Sequence, residues 1–288
     1  MNIRQARKKI KSVTNVRKIT KAMQLVSAIK MKKAQQSAIE GKPYQEHLES
    51  MIKKLVLKID MRYSDLLVPK EGAKKKDLAL VISSNKGLCG GFNMNLFRFI
   101  LKNIEIRNTD FAIVGKKATL LSKLGGNVIA DFSSNTPLES VSALFNLALS
   151  HFLDNTYSNI FLFYNKFVST LAVDPVKYPL LPIVLNLESE EEDKEKAQME
   201  EVEYLIEPNP EEIITPLLKN FVEEKIRHAI IQSEAGEHSS RMIAMKNATE
   251  NANDVIYNLT MLRNKLRQEK ITNELLDMVT AKESVEGN

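Results

Sequence analysis

Apolar residues at the start of the chain recur as Ile3, Ile10, Val13, Val16, Ile19, Met23 and Val26, at steps of three and four with one longer gap. That spacing gathers them on one face of an α-helix. From Asn2 to about Lys58 the only glycine is Gly41 and the only proline is Pro43, so the pattern predicts one long helix that Pro43 bends or breaks. Helical throughout, it would be roughly 85 Å long at about 1.5 Å per residue, and part of it must project beyond any domain of this size.

The period then changes. Between 77 and 187, Leu78–Ile82, Phe111–Val114 and Ile160–Tyr164 are short apolar runs bounded by glycine or polar residues, with helix-like stretches at 94–104, 116–124 and 138–153 between them. Near-continuous apolar strands alternating with helices predict a small α/β domain with a mainly parallel sheet of about five strands, covered on both faces. Val168–Val173 and Leu180–Leu185 are expected as edge strands, because Pro175, Pro179 and Pro182 cannot donate to a central ladder.

After Pro208 and Pro210 the helical period returns, through Ile213, Leu217, Phe221 and Ile230 to Met245, Ala252, Leu259, Leu266 and Val279. Only Pro216 and Gly236 interrupt it. A pattern longer than about 25 residues points to a coiled coil, and the first helix is the obvious mate. The fold expected is α/β: an antiparallel coiled coil of the two terminal helices plus a central, mainly parallel α/β domain. The divisions expected are a first stalk helix over 1–58, the α/β domain over 77–187, an acidic linker or loop over 188–208 and a second stalk helix over 209–284. Ala22, Ala28, Ala244, Ala248 and Ala252 would let the helices approach closely.

Charge sharpens this picture. The net value of +5 hides an asymmetry: residues 1–35 carry eleven Lys and Arg and no acid, whereas 188–203 is crowded with Glu and Asp. No apolar run approaches the roughly 18 residues that cross a bilayer, and no apolar stretch follows the basic start as a secretory signal would. The single cysteine, Cys89, excludes an internal disulfide, and the four histidines are far apart in sequence, so no metal centre is expected.

Candidate chemistry is sparse. Gly87-Leu88-Cys89-Gly90-Gly91 follows the first strand, where a nucleophile or an anion-binding turn could sit. Its spacing is neither a dinucleotide nor a phosphate-loop fingerprint, so Gly87, Gly90 and Gly91 read as a structural strand-to-helix turn. His238 with Glu234, Glu237 and Arg241 lacks a zinc-binding pattern and reads as polar packing or an interface. The basic first helix could neutralise nucleic-acid phosphates or the acidic loops of a protein partner, or be merely a solvated face. It has no aromatic residue before Tyr44 on which a base could stack.

The residues then carry a resemblance. The run Ile10 to Ala28 (IKSVTNVRKITKAMQLVSA) resembles the first helix of the gamma subunit of F-type ATP synthases. Gly87-Leu88-Cys89-Gly90-Gly91-Phe92-Asn93, Tyr164-Asn165-Lys166-Phe167, Tyr204 to Glu212, Glu237 to Met245 with Asn247-Ala248-Thr249, and Ile271 to Leu275 resemble further stretches of that family, in the same order. The resemblance implies a non-catalytic rotor with no cofactor or metal. Its paired helices would turn inside an alpha3-beta3 ring while the α/β domain is held by an epsilon subunit and a membrane c-ring.

It further implies that Arg241, Gln268 and Thr272 contact the catch loops of the ring with Met23 nearby, and that Lys18 and Lys21 form a basic stalk face toward acidic loops. One copy per complex, placed peripherally on the cytoplasmic face of a bacterial inner membrane, is expected. The chain departs from the family pattern at Asn85, where aspartate is usual, at Arg263, where tyrosine is common, and at Leu266, where alanine is common. A long-helix nucleic-acid-binding or scaffold protein is the alternative reading of the same composition.

Overall fold

Two reciprocal hydrogen bonds start the first helix: the Gln5 N–H donates to Asn2 Oδ1 at 2.8 Å and the Asn2 N–H to Gln5 Oε1 at 3.1 Å. This is the logic of a capping box, which satisfies donors that have no partner inside the helix. The computed structural model describes residues 1–56, 64–68, 76–134, 136–184 and 209–286. Within them α1 runs from Ile3 to Val56 without a break. The break considered at Pro43 does not occur. Pro43 is exposed, and so is Ile39, whose carbonyl the missing N–H leaves without its helical partner, so water can satisfy that group.

The last helix, α5 (Pro210–Glu286), starts in the same self-sufficient way, with proline at its first position, Glu211 and Glu212 in its first turn, and Asn209 Nδ2 donating to Glu212 Oε1 at 3.2 Å. Pro216 is exposed and is likewise absorbed. The acidic stretch 188–203 lies outside the described residues.

Between the long helices stand β1 (Asp77–Ile82), α2 (Phe92–Asn103), β2 (Thr109–Val114), the short α3 (Leu120–Lys123), β3 (Asn127–Asp131), α4 (Val141–Leu153), β4 (Asn159–Phe167) and β5 (Val173–Leu181). The sheet order is β3-β2-β1-β4-β5, parallel except for the antiparallel β4–β5 hairpin. The edge strand expected over 168–173 is instead the hairpin turn, closed by Val168 and Ser169 N–H groups donating to the Ala172 carbonyl. Strand β5 follows it, with Pro175 and Pro179 inside, tolerated because β5 is the outer strand. The other edge, β3, follows Gly125-Gly126 and has only Val128, Ile129 and Ala130 as apolar residues, too short a run to stand out in sequence.

The strand period of two decides how the sheet is covered. Leu78, Leu80 and Ile82 of β1, Ala112 and Val114 of β2, and Ile160 and Leu162 of β4 face a core shared with Phe152 of α4, Ile52 of α1 and Leu218 and Ile226 of α5. Ala79, Val81, Phe111, Ile113 and Phe163 face the other side, against Leu96, Phe97 and Ile100 of α2 and Leu121 of α3. The long helices therefore double as one layer of an α/β sandwich.

The chain divides into two compact units: residues 1–28 with 241–288, and Ile29–Ser240. In the first, α1 and α5 run antiparallel. The Arg17 guanidinium donates to Asn253 Oδ1 at 3.1 Å and Thr20 Oγ1 lies 2.8 Å from Thr249 Oγ1, so position rises along one helix as it falls along the other. The seam of α1 keeps a period of seven: Ala6, Thr20 and Ser27 are buried and Val13 is half-buried. Opposite, Met245 and Ala252 are buried and Leu259 and Leu266 half-buried, again seven apart. Small residues at these positions allow close approach. Ala22, expected in this role, is exposed, because it lies off the seven-residue seam.

At the amino end of the sheet, the buried Asp110 carboxylate accepts from Asn127 Nδ2 at 3.0 Å and from the Tyr157 hydroxyl at 2.9 Å, with the Lys76 ammonium at 3.5 Å. Burial pushes its pKa up, but these hydrogen bonds and the Lys76 charge outweigh burial and leave it below the ordinary aspartate value. A carboxyl depressed on folding stabilises the native state above its unfolded pKa, and that stability is lost as pH falls through the folded value. Urea midpoints measured from neutral pH to below about pH 4 should thus fall more steeply for the natural chain than for Asp110→Asn, which cannot titrate. Parallel curves would show that the carboxylate contributes nothing.

Candidate functional site

Two features of the first unit stand out, one charged and one apolar. Lys18 and Lys21 are exposed and, with Arg17, Thr249 and Asn253, line an open groove of about 440 Å³ between α1 and α5. Val16, Ile19 and Val26 on α1 are half or more exposed, as are Tyr257, Met261, Leu275, Leu276 and Val279 on α5. Two helices can bury only a narrow seam, so an apolar face wider than the seam stays in water. So much uncovered aliphatic surface is what a partner-binding element carries.

The other residues expected to meet a ring fall into two groups. Gln268 and Thr272 are exposed on α5, and Met23 is half-buried on α1. Arg241 is only 7% exposed and is buried within the chain itself. Exposed side chains can be touched by a partner directly, whereas Arg241 offers little surface for such contact.

In the second unit, the turn after β1 is closed on itself. The Ser84 N–H donates to Asn93 Oδ1 at 3.1 Å, Asn93 Nδ2 donates to Ser84 Oγ at 2.8 Å and to Cys89 Sγ at 3.3 Å, and Ser84 Oγ donates to the Lys86 carbonyl. Cys89 is buried, so the thiol fills this turn and does not face a cleft. Of the three glycines, Gly90 takes a left-handed conformation (φ +58°), whereas Gly87 and Gly91 do not; the other left-handed position is Leu88, an exposed side chain. Asn85, where the resemblance leads to an expected aspartate, bridges two neighbouring loops: it donates to the Ser134 carbonyl at 2.6 Å and accepts from the Lys116 N–H at 3.2 Å. An aspartate could not make the first of these bonds.

Glu234 and His238 of α5 line a groove of about 460 Å³ with Lys30 and Lys33 of α1 and Glu139 after β3. Burial, together with Glu237, pushes the Glu234 carboxyl up, and Lys30 and Lys33 oppose this. No group of three metal-ligating side chains occurs among the described residues, and no helix among them is long and apolar enough to cross a membrane. Reading the sequence overlooked the α5 stripe of Gln232, Gly236 and Ser239, which touches the end of β4 and the hairpin. Its one legible signal was a glycine inside an otherwise helical run.

With this geometry in hand, residues 2–285 match the family described as ATP synthase. The chain is 35% identical to the ATP synthase gamma chain of Akkermansia muciniphila, over 99% of each protein, and 33% identical to that of Bdellovibrio bacteriovorus, also over 99% of each. Among solved structures it resembles a chain of the Euglena gracilis mitochondrial ATP synthase OSCP/F1/c-ring assembly, with TM-score 0.68, 16% identity, and 99% of this chain and 95% of that one covered. It also resembles a chain of the Tetrahymena thermophila mitochondrial ATP synthase central stalk and c-ring, with TM-score 0.56, 22% identity, and 80% of this chain and 99% of that one covered.

Proposed function

The chain belongs to the ATP synthase gamma chain family, the central-stalk subunits, and from that premise we propose that it is a rotor shaft coupling ion flow in a membrane sector to the conformational cycle of catalytic beta subunits. The observation that carries this reading is the apolar and basic surface left uncovered on the first unit, at Val16, Ile19 and Val26 and at Lys18 and Lys21. Aliphatic groups attract a surrounding ring without directional bonds, so they hold the shaft on axis at every angle. Exposed ammonium groups attract acidic loops weakly in water, at about 1 kcal/mol for a pair 4 Å apart, and such pairs can be broken and remade in each turn.

An alpha3-beta3 ring around the first unit, and an epsilon subunit and a c-ring holding the second, are the partners this role requires. Within the ring, Gln268 and Thr272 would meet the catch loops directly, with Met23 nearby on α1 and Arg241 setting the local shape of α5. In this role the shaft does no chemistry of its own. An off-axis shaft changes the relative free energies of beta-subunit conformations that already exist, and catalysis follows from that shift. A place on the cytoplasmic face of a bacterial inner membrane, held there through the c-ring, accords with this role.

The test is to reconstitute the full chain with cognate alpha and beta subunits and to follow ATP hydrolysis together with rotation of a probe on the α/β domain. Directional, ATP-dependent rotation is the expected result; assembly without rotation would leave only a static scaffold. In the same assay, reversing both charges with Lys18→Glu and Lys21→Glu should slow rotation by about threefold at low salt, with a smaller difference at about 1 M salt, where charges are screened within roughly 3 Å. Equal slowing at all ionic strengths would mean that the pair does not act by charge.

A further inference from the structure

Within the second unit, one stripe of α5 meets the carboxyl end of the sheet. Gln232, Gly236 and Ser239 are spaced by four and three residues and so share a helix face. Gln232 Oε1 accepts the N–H of Phe167, the last residue of β4, at 3.2 Å. Gln232 Nε2 lies 3.2 Å from Nε2 of His228, one turn earlier. Burial, reinforced by Lys225 and Lys166, pushes that imidazole down to about 4, so at neutral pH it is uncharged and accepts from the amide. Ser239 Oγ donates to the carbonyl of Thr170, in the turn between β4 and β5.

Gly236 lies between these two bonds. A Cβ placed there would come within 2.9 Å of Val173 Cγ1, at the start of β5, and within 3.4 Å of Phe92 Cε2, at the start of α2. Glycine is a poor helix former, and this close approach accounts for its presence in mid-helix. The buried Asn165 then ties α2 to β4 by donating to the Phe92 carbonyl at 3.1 Å. The second unit ends at Ser240, one residue beyond the stripe.

We propose that Gln232, Gly236 and Ser239 form the joint by which a turning α5 carries the α/β domain with it. The inference deepens the rotor reading and rests on it. Most other packing of α5 on the sheet is aliphatic, through residues such as Ile214, Leu218 and Ile226, and aliphatic contacts are non-directional. Torque about a helix axis is resisted better by bonds to fixed backbone groups, here the Phe167 N–H and the Thr170 carbonyl. Between them, the close fit of Val173 and Phe92 on Gly236 blocks sliding along the helix. These are positioning residues, distant in role from any chemistry.

The test uses the complete ATP synthase in sealed vesicles, with ATP hydrolysis and ATP-driven ion uptake measured on the same preparation. Ser239→Ala and Gly236→Ala should keep hydrolysis within about twofold yet cut the ions moved per ATP by about threefold or more. Ser239→Thr, which keeps the hydroxyl, should retain the natural ratio. Adding Val173→Ala to Gly236→Ala should restore the ratio by making room for the new methyl group. Loss of stability alone would lower both rates together and leave the ratio where it was. Should Gly236→Ala fail to fold by circular dichroism, Ser239→Ala decides: an unchanged ratio in the assembled Ser239→Ala enzyme overturns the joint. If the natural enzyme itself moves no ions on ATP, the rotor reading fails instead, so the two failures are distinct.

Discussion

Gly115→Ala should destabilise the full chain by about 4 kcal/mol, at the far end of what single substitutions do. Gly115 follows β2 with φ +93°, a conformation that an alanine side chain strains against. Space is the larger objection. A Cβ there would lie 2.1 Å from the Ser83 carbonyl oxygen, a backbone atom that cannot swing aside. Nor is Ser83 free to retreat. Its N–H donates to the Val114 carbonyl at 2.8 Å, its hydroxyl donates to the Gly115 carbonyl at 2.9 Å, and the same hydroxyl accepts from the Ala118 N–H at 2.9 Å.

Relief therefore requires the ends of β1 and β2 to part. For a unit of this size, a thermal midpoint lower by about 10 °C is the expected reading, at roughly 2 to 4 °C per kcal/mol. A midpoint within about 2 °C of the natural chain would mean that the crossing is far softer than its hydrogen bonds imply.

Phe163→Ala should cost about 3 to 5 kcal/mol, the range for deleting a buried aromatic ring. Phe163 is fully buried on β4, with Ala79, Val81 and Phe111 on the same sheet face and Leu96 and Ile100 of α2 above it. It meets Phe99 edge to face, with ring centres 6.4 Å apart. β4 is paired on both sides, so its backbone cannot move in to fill the gap. Phe163→Leu keeps most of the volume and should cost less than about 1.5 kcal/mol if neighbours repack. Urea unfolding of both variants is the measurement, and the two values should differ by at least about 1.5 kcal/mol. Near-equal losses would show that the site collapses around the smaller residue.

The strands that were legible were those buried on both faces. β1, β2 and β4 carry runs such as Leu78–Ile82, and no exposed position interrupts them to confuse the period. The edges were harder for opposite reasons. β3 is short and half exposed, so its few apolar residues resemble a loop, while β5 carries two prolines that argue against a strand until its outer place is known. Pro43 was similarly ambiguous: a proline in a helix pattern costs less where water can bond the carbonyl it orphans, and exposure is not legible in the sequence.

The site divides along the same line. Lys18 and Lys21 could be read as a basic face because charge is a property of composition, and Gly87, Gly90 and Gly91 as a turn because glycine is a local signal. The stripe of Gln232, Gly236 and Ser239 could not, since its partners Phe167, Thr170, Val173 and Phe92 are far away in sequence. Arg241 shows the converse. It lies in a run that resembles the family in sequence, and only its 7% exposure says that it is held inside the chain.

By itself, then, the sequence determined the two long helices, the α/β rhythm between them and the family, because helix period, strand period and ordered motifs are all local or linear properties. The tertiary structure decided which residues of each helix form the seam, how far the remaining apolar face lies open, and where α5 is fastened to the sheet. Those depend on which surfaces meet, and a helix that carries more apolar residues than one neighbour can cover does not reveal from its period alone which of them stay in water.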